Sequence, residues 1–389
     1  MYSVKVFNKI SKKGLDIFSQ SGVSIISSDD KNSNADVILL RSHKLHEYKF
    51  DENIKAIGRA GAGTNNIPVD QCTEKGIVVF NSPGANANAV KELVLSGLFL
   101  AARNIYSGLT YVNSLMSREC DISSEVEANK SKFKGFEVQG KKLGIIGLGA
   151  IGVLVANDAI KLGLDVYGFD PYISVNRAWG LSSRVKQAKT LKEILSKVDF
   201  LSFHMPLNDS TKGFFNAEKI EMLKKDVILL NFARPEIMVQ EDIERALESE
   251  KIKKLVTDFP NNKLLSLPNV IGLPHLGAST EEAEDNCAIM VADQINDFMI
   301  NGNIVNSVNF PECSLERTSN HRLTIFHDNK PNMIGQILQL FEDSINITEM
   351  VNKSRESLAY TIIDIDQEPS TSLIECINKV DGVRFVRKV

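Results

Sequence analysis

The stretch Lys141–Asp170, KKLGIIGLGAIGVLVANDAIKLGLDVYGFD, constrains this chain more than any other. Its apolar run Leu143–Ile146 reads as a buried strand. Gly147, Gly149 and Gly152 follow at G-x-G-x-x-G spacing, and Val153–Leu162 reads as a helix that starts where the glycines stop. A second strand, Val166–Phe169, ends at Asp170. In such a unit the first glycine permits a tight turn and the second lets the backbone approach a pyrophosphate. The third lets helix and strand pack closely. The phosphates sit on the free N–H groups of the helix N-terminus. A carboxylate at Asp170 hydrogen-bonds the ribose hydroxyls of NAD and repels the 2′-phosphate of NADP. A glycine triplet alone is weak evidence. Strand, triplet, helix, strand and acid in that order are specific, so the expected cofactor is NAD.

A chain of 389 residues has room for roughly two or three domains with sizeable cores. Hydrophobic content of 43% and charged content of 24% suit a globular protein, and a net charge of −4 argues against a nucleic-acid partner. Cys72, Cys120, Cys287, Cys313 and Cys376 are scattered without a C-x-x-C pair, so neither a disulfide framework nor a metal site is expected. The N-terminus lacks the layout of a signal peptide, and no apolar run reaches membrane-spanning length. The expectation is a cytoplasmic protein with no membrane partner.

In order, residues 1–90 alternate strand and helix signals: strands at Val4–Phe7, Val37–Leu40, Ile54–Arg59 and Ile77–Phe80, helices at Lys12–Ser19 and Val69–Lys75. That predicts a parallel α/β domain, with Arg41, Arg59 and the Gly61–Asn65 turn at the carboxyl ends of strands, where ligands bind. A long helix follows at Ala87–Arg103. Tyr106–Val138 is polar and mixed and reads as an extended arm. Beyond Asp170, strands at Phe200–Phe203, Val227–Asn231, Leu255–Asp258 and Val270–Leu273 predict a second doubly wound sheet. The helix Thr280–Ile300 leads back to the first domain, with a strand at Ile304–Phe310. Pro311–Asn320 reads as a linker, and His321–Val389 as βαββαβ, a ferredoxin-like sandwich. The expected organisation is therefore α/β. It has a substrate domain (1–93 and 281–310), a Rossmann NAD domain (94–280) and a small C-terminal domain (320–389).

Hydride transfer from an alcohol needs a base for the hydroxyl proton and a cation for a substrate carboxylate. His275 follows a strand at the ligand end of the second sheet, and Arg234 ends the strand LLNFAR at the same end. The pair supplies a base that titrates near neutrality and a bidentate clamp. A structural His and a surface Arg fit these positions equally well. His204 sits at the same rim and suits a cofactor-pocket wall.

These residues carry a resemblance. GRAGAGTNNIPVD (58–70), NSPGANANAVKELV (81–94), the glycine fingerprint, LLNFAR (229–234), TDFP (257–260) and PHLGASTEEAEDNC (274–287) resemble the D-isomer-specific 2-hydroxyacid dehydrogenase family. Within it they look like the branch that oxidises 3-phospho-D-glycerate at the start of serine synthesis. The tail, with IFHDNKP (325–331) and SINI (344–347), resembles an ACT regulatory domain. The resemblance implies that Arg234 holds the substrate carboxylate and His275 exchanges the hydroxyl proton. Arg59, Gly61, Gly63, Thr64 and Asn65 would face the substrate, with Arg59 suited to its phosphate. Gly147, Gly149, Ala150, Ile151, Gly152, Asp170, His204, Met205, Pro206, Ala233, Asp258 and Gly277 match cofactor-contacting positions. His327, Asn329 and Asn346 match the ligand loops of the tail, where L-serine is the implied effector. The long helix and the arm resemble dimerisation elements, which implies a homodimer or homotetramer.

Two positions depart from the family pattern. A Glu that usually partners the catalytic His is Lys263 here, which makes Lys263 a candidate catalytic residue beside His275, with a solvated loop lysine and a contact to the anionic substrate as the other readings. The residue after Arg234, usually Gly, is Pro235. Another D-2-hydroxyacid, such as 2-hydroxyglutarate, is an alternative substrate. A NADH-sensing binding protein on the same fold is the alternative of a different class.

Overall fold

Strands with no polar face need cover on both sides, and the chain supplies several: Val37–Leu40, Phe200–Phe203 and Val227–Asn231 are buried at every residue. In the computed structural model, which describes residues 2–30 and 34–389, such runs build two parallel sheets. The chain divides into two units, Met1–Asn86 with Glu281–Val389, and Ala87–Thr280.

The first unit begins with β1 (Ser3–Val6), α1 (Lys12–Gln20), β2 (Ser24–Ser27), β3 (Val37–Leu40), β4 (Ala56–Arg59), α2 (Val69–Glu74) and β5 (Val78–Phe80). Among the described residues its parallel sheet runs β2-β1-β3-β4-β5. The edge strand β2 escapes sequence reading because its side chains are mostly exposed, which leaves no apolar pattern. Ile304–Phe310 is not the regular strand expected. It meets the edge of β5 through a Phe80–Ser307 bridge and through the buried amide of Asn309, which accepts from Val79 N at 2.9 Å and donates to Ile77 O at 2.9 Å. An asparagine side chain stands in for strand backbone there.

The second unit holds α3 (Ala87–Ala102), α4 (Ile105–Leu115), α5 (Ile122–Asn129), β6 (Lys142–Ile146), α6 (Ala150–Lys161), β7 (Asp165–Phe169), α7 (Val175–Trp179) and β8 (Lys186–Gln187). It continues with α8 (Leu191–Leu195), β9 (Phe200–Phe203), α9 (Ala217–Glu221), β10 (Val227–Asn231), α10 (Gln240–Glu248), β11 (Ile252–Thr257), α11 (Asn262–Leu265) and β12 (Val270–Gly272). Its parallel sheet runs β12-β11-β10-β9-β6-β7-β8 among the described residues. Ile228 and Leu230 of β10 face a core shared with α3 and α6, while Val227 and Leu229 face one shared with α8, α9 and α10. Strand order reverses between β6 and β9, and ligands bind at such reversals. The segment 106–138 is not an extended arm. It folds as α4, α5 and a 3-10 turn, with Asp121 capping α5 by accepting from Ser124 N, and Tyr111 packed on Phe133 at 5.2 Å. Among the described residues no single helix is long and apolar enough to cross a membrane.

The chain re-enters the first unit with α12 (Glu281–Asn301) and ends in β13 (His321–Asp328), α13 (Met333–Leu338), β14 (Ile347–Arg355), β15 (Leu358–Ile365), α14 (Thr371–Asn378) and β16 (Val383–Lys388). These strands form an antiparallel sheet ordered β14-β15-β13-β16. One face, with Leu323, Ile325, Ile363 and Ile365, packs on Ile337, Leu373 and Ile377 of its own helices. The other face does not end at solvent. Phe326, Leu358, Tyr360 and Ile362 share one core with Phe80, Phe298, Ile304 and Phe310. Phe310 packs at a tilt against Phe326, with centroids 4.3 Å apart, and Tyr360 OH donates to Gly302 O at 2.8 Å.

A wholly buried ion pair, Arg322 with Asp364, locks this junction, with Nε–Oδ1 at 2.6 Å and Nη2–Oδ2 at 2.8 Å. Arg322 also donates to the carbonyls of Asn301, Leu315 and Glu316. The tail expected as a separate body at 320–389 is thus part of the first unit, and the supposed linker is bonded to its sheet. The helix expected to straddle residue 93 falls whole in the second unit.

Candidate active site

β6 delivers the chain to Gly147 at φ +92°, a left-handed value. A Cβ there would meet His204 C at 2.7 Å and Met205 N at 2.8 Å, so the turns after β6 and β9 touch backbone to backbone. A Cβ on Gly152 would lie 2.0 Å from Gly147 O, which fixes the approach of α6 to the turn. Gly149 differs: nothing lies within 4 Å of its Cβ position. It is the N-cap of α6 and no side chain caps the helix. The first-turn N–H groups, those of Ala150 and Ile151 among them, therefore have no intrahelical acceptor, the arrangement that receives phosphate groups at a helix N-terminus.

Asp170, at the end of β7, accepts from Leu148 N and from Tyr172 N, each at 2.8 Å, one on each oxygen. Each oxygen keeps lone-pair capacity for a ribose hydroxyl. His204 Nε2 lies 2.8 Å from Ser202 Oγ, and burial pushes the imidazole down to about 3, so it is neutral at physiological pH. Met205 and Pro206 continue that turn, and Pro206 O accepts from Thr211 Oγ1 at 2.6 Å.

The loop after β10 is shaped by Asn231. Its Oδ1 accepts from Ala233 N at 3.2 Å and its Nδ2 donates to Arg234 O at 3.0 Å. Arg234 Nη1 donates to Ala233 O at 2.7 Å, and the guanidinium is half-buried. Pro235 opens the short 3-10 turn Pro235–Ile237, a position where a missing N–H and a fixed φ are tolerated.

The loop after β12 carries His275, an exposed residue at φ +55°, unusual for a side chain other than glycine. Asp258, expected at the cofactor, is 1% exposed. Its two oxygens accept from Leu276 N and Gly277 N, both at 2.8 Å, so it holds the His275 loop. The His275 ring meets Phe259, with centroids 5.0 Å apart and planes at 68°.

Lys263 is not beside it. Its Nζ pairs with Glu244 Oε2 at 2.8 Å, and Glu244 takes a second bond from Gln240 Nε2 at 2.7 Å. Among the described residues no hydrogen bond or ion pair joins Lys263 to His275. The Glu244 bond raises the Lys263 pKa, and the Lys263 bond lowers that of Glu244. Neither Phe259 nor Glu244 was read from the sequence. Phe259 was legible only as the neighbour of Asp258 in TDFP, and Glu244 lies on a different helix.

Arg59 and its turn belong to the first unit; Arg234, His275 and the glycine turn belong to the second. Arg59 ends β4 and its Nε donates to Arg41 O at 3.1 Å, as does Asn66 Nδ2 at 3.2 Å. Arg41 pairs with Glu284 of α12 at 2.6 Å. Gly61 N donates to Arg59 O at 2.8 Å, Gly61 O accepts from Ser82 N at 3.0 Å, and Thr64 O accepts from Ile67 N at 3.0 Å. Gly63 and Asn65 lie on the same turn, with Asn65 exposed.

In the tail, His327 departs from expectation. It is buried, with Nδ1 2.8 Å from Asp328 O and Nε2 2.9 Å from Thr361 Oγ1, so both ring nitrogens are used inside the sheet. Asn329 and Asn346 are exposed on loops. Asn329 Nδ2 donates to Glu356 O at 3.0 Å, and Asn346 N donates to Asp366 Oδ1 at 3.0 Å.

Comparison with known proteins agrees with this geometry. Residues 100–277 match the family described as D-isomer specific 2-hydroxyacid dehydrogenase, NAD binding domain. A D-3-phosphoglycerate dehydrogenase of Methanocaldococcus jannaschii is 35% identical over 335 residues, which is 83% of this chain and 60% of that protein. This chain thus spans less than two thirds of that relative's length. A D-3-phosphoglycerate dehydrogenase of Haemophilus influenzae is 34% identical over 340 residues, 84% of this chain and 79% of that one. Among solved structures, the NAD+-bound 3-phosphoglycerate dehydrogenase of Entamoeba histolytica superposes with a TM-score of 0.61 at 28% identity, over 79% of this chain and 98% of that chain. With the glycine turn, the acid at the end of β7 and relatives of this coverage in agreement, the chain belongs to the D-isomer specific 2-hydroxyacid dehydrogenase family.

Proposed function

We propose that this protein is an NAD-dependent oxidoreductase that converts 3-phospho-D-glycerate to 3-phosphohydroxypyruvate, the first step of the phosphorylated route to L-serine. The observation that carries the reading is an NAD cradle after β6 together with Arg234 after β10 and His275 after β12, all at the carboxyl ends of strands of one parallel sheet. Bound NAD supplies the hydride acceptor. Arg234 holds the substrate carboxylate through its planar fork. His275, neutral, takes the hydroxyl proton as the C2–H bond gives up its hydride, and returns that proton in the reverse direction. Arg59 holds the phosphate.

Five free thiols favour the cytoplasm, and an exposed apolar stripe on α4 (Ile105, Leu109, Val112) that continues into its C-cap Met116 favours a homodimer or homotetramer. NADH formation from NAD and 3-phosphoglycerate, beside 2-hydroxyglutarate and D-lactate, tests the substrate. Equal turnover of the non-phosphorylated acids would defeat the assignment. Tight NADH binding with no turnover of any acid would favour a sensor.

The βαββαβ tail supports L-serine as an effector at Asn329 and Asn346. Calorimetry with serine should give heat that Asn346→Ala loses; no heat from the unmodified protein removes serine from consideration.

A further inference from the structure

A catalytic imidazole needs a third group to set its orientation, and a hydrogen-bonded carboxylate is the usual one. His275 has none. Asp258, the buried carboxylate that holds this loop, gives one oxygen to Leu276 N and the other to Gly277 N, and among the described residues no hydrogen bond joins it to the ring. Lys263 is committed to Glu244 at 2.8 Å. The backbone of the loop is therefore fixed, in a left-handed conformation at φ +55°, while the ring is held by no hydrogen bond among the described residues. What the ring does touch is Phe259, at 5.0 Å between centroids and 68° between planes, within the range of favourable aromatic pairs. Phe259 is itself anchored, because its N–H donates to Thr257 Oγ1 at 3.1 Å at the end of β11.

We propose that Phe259 is a positioning residue for the reaction: its ring replaces a carboxylate as the group that orients the His275 imidazole toward the substrate hydroxyl. The inference rests on the reading of His275 as the proton-exchanging group. Two adjacent residues at one strand end thus divide the work, with Asp258 fixing the main chain of the loop and Phe259 fixing the side chain. An apolar partner leaves both imidazole nitrogens without a hydrogen bond among the described residues, so one is available to the substrate and the other to solvent. The ring's orientation, not a charge relay, is then what the protein contributes.

The test uses the full chain with Phe259→Leu, Phe259→Tyr and His275→Ala. Leu keeps apolar volume and removes the flat face. Phe259→Leu should lower kcat about two- to tenfold, the worth of one aromatic pair, and leave KM for 3-phosphoglycerate in place. Phe259→Tyr should restore kcat. An independent readout needs no cofactor or substrate: in protein carrying 13C-labelled histidine, the His275 ring resonance is assigned by its loss in His275→Ala. It should move in Phe259→Leu and return toward its original position in Phe259→Tyr. A merely structural Phe259 would lower Tm and leave kcat per folded molecule unchanged. The proposal is overturned if Phe259→Leu leaves kcat per folded molecule unmoved while His275→Ala is inactive, whatever the resonance does. Full turnover by His275→Ala would instead overturn the reading of His275, and the positioning role with it.

Discussion

Single residues carry most of the specificity argued above, and they differ in how far the sequence exposes them. Gly147, Gly152 and Asp170 are legible because their reasons are local: a left-handed turn, a 2.0 Å approach and an acid at a strand end. Asp170 should give a strong preference for NAD over NADP. Asp170→Ala should narrow that preference and also weaken NAD, since it releases Leu148 N as well as the ribose. Comparable use of both cofactors by the unmodified protein would refute the role. Lys263 shows the opposite case. Its departure from the family is visible in sequence, yet its partner is set by the packing of α10 beside α11. Because its ammonium is held by Glu244, Lys263→Ala should leave the pH profile of kcat/KM superimposable on that of the parent; a displaced limb would reveal coupling to His275 after all.

His204 makes a pH prediction with a definite sign. Its folded pKa lies near 3, below the unfolded value of about 6.5, so the unfolded chain binds the proton first as pH falls. The stability it contributes is full above about pH 6.5 and drains as pH drops toward 3. Thermal melts of the parent and His204→Gln should run parallel above neutrality and converge or cross in acid.

At the scale of elements, strands buried on both faces and helices of regular period were readable, and the two parallel sheets followed from them. What failed failed for physical reasons. β2 is an edge strand with little to bury. α4 and α5 keep exposed apolar side chains such as Leu109 and Ile122, which blur the amphipathic signal. In β13 and β15 apolar residues alternate between two cores, Ile325 toward α13 and α14, Phe326 toward Phe310, and no local pattern says what covers the second face. The Arg322–Asp364 pair joins these strands to the preceding chain. Burial acts to raise the Asp364 pKa, but hydrogen bonds from Arg322 and Thr318 prevail and hold it below the usual carboxylate range. Removing one partner of such a pair leaves an uncompensated buried charge, so Asp364→Asn should cost about 3–5 kcal/mol in chemical denaturation. Arg322→Met with Asp364→Leu should recover much of that loss; if the double variant is no better than the single, the penalty is not electrostatic.

At the scale of the whole molecule, the two units differ in how their sequence is laid out. One is a single run, Ala87–Thr280; the other is assembled from Met1–Asn86 and Glu281–Val389. Its core needs Val4 and Phe18 from the first part and Phe298, Phe310 and Tyr360 from the second. Synthesis proceeds at about 5–20 residues per second, and domains fold as units when their sequence is available. The NAD-binding unit therefore has all its residues while residues 281–389 are still being made. The flanking unit must hold its first apolar strands unsatisfied for roughly tens of seconds. Ribosome-stalled chains ending a tunnel's length beyond Thr280 should yield a protease-resistant fragment containing the glycine turn, while Val37–Leu40 remains cleavable. Protection of both regions at that length would show that the first unit does not wait for its tail. The amino-terminal segment is thus the part of this chain with most need of a chaperone, although the glycine turn is the part that most defines it.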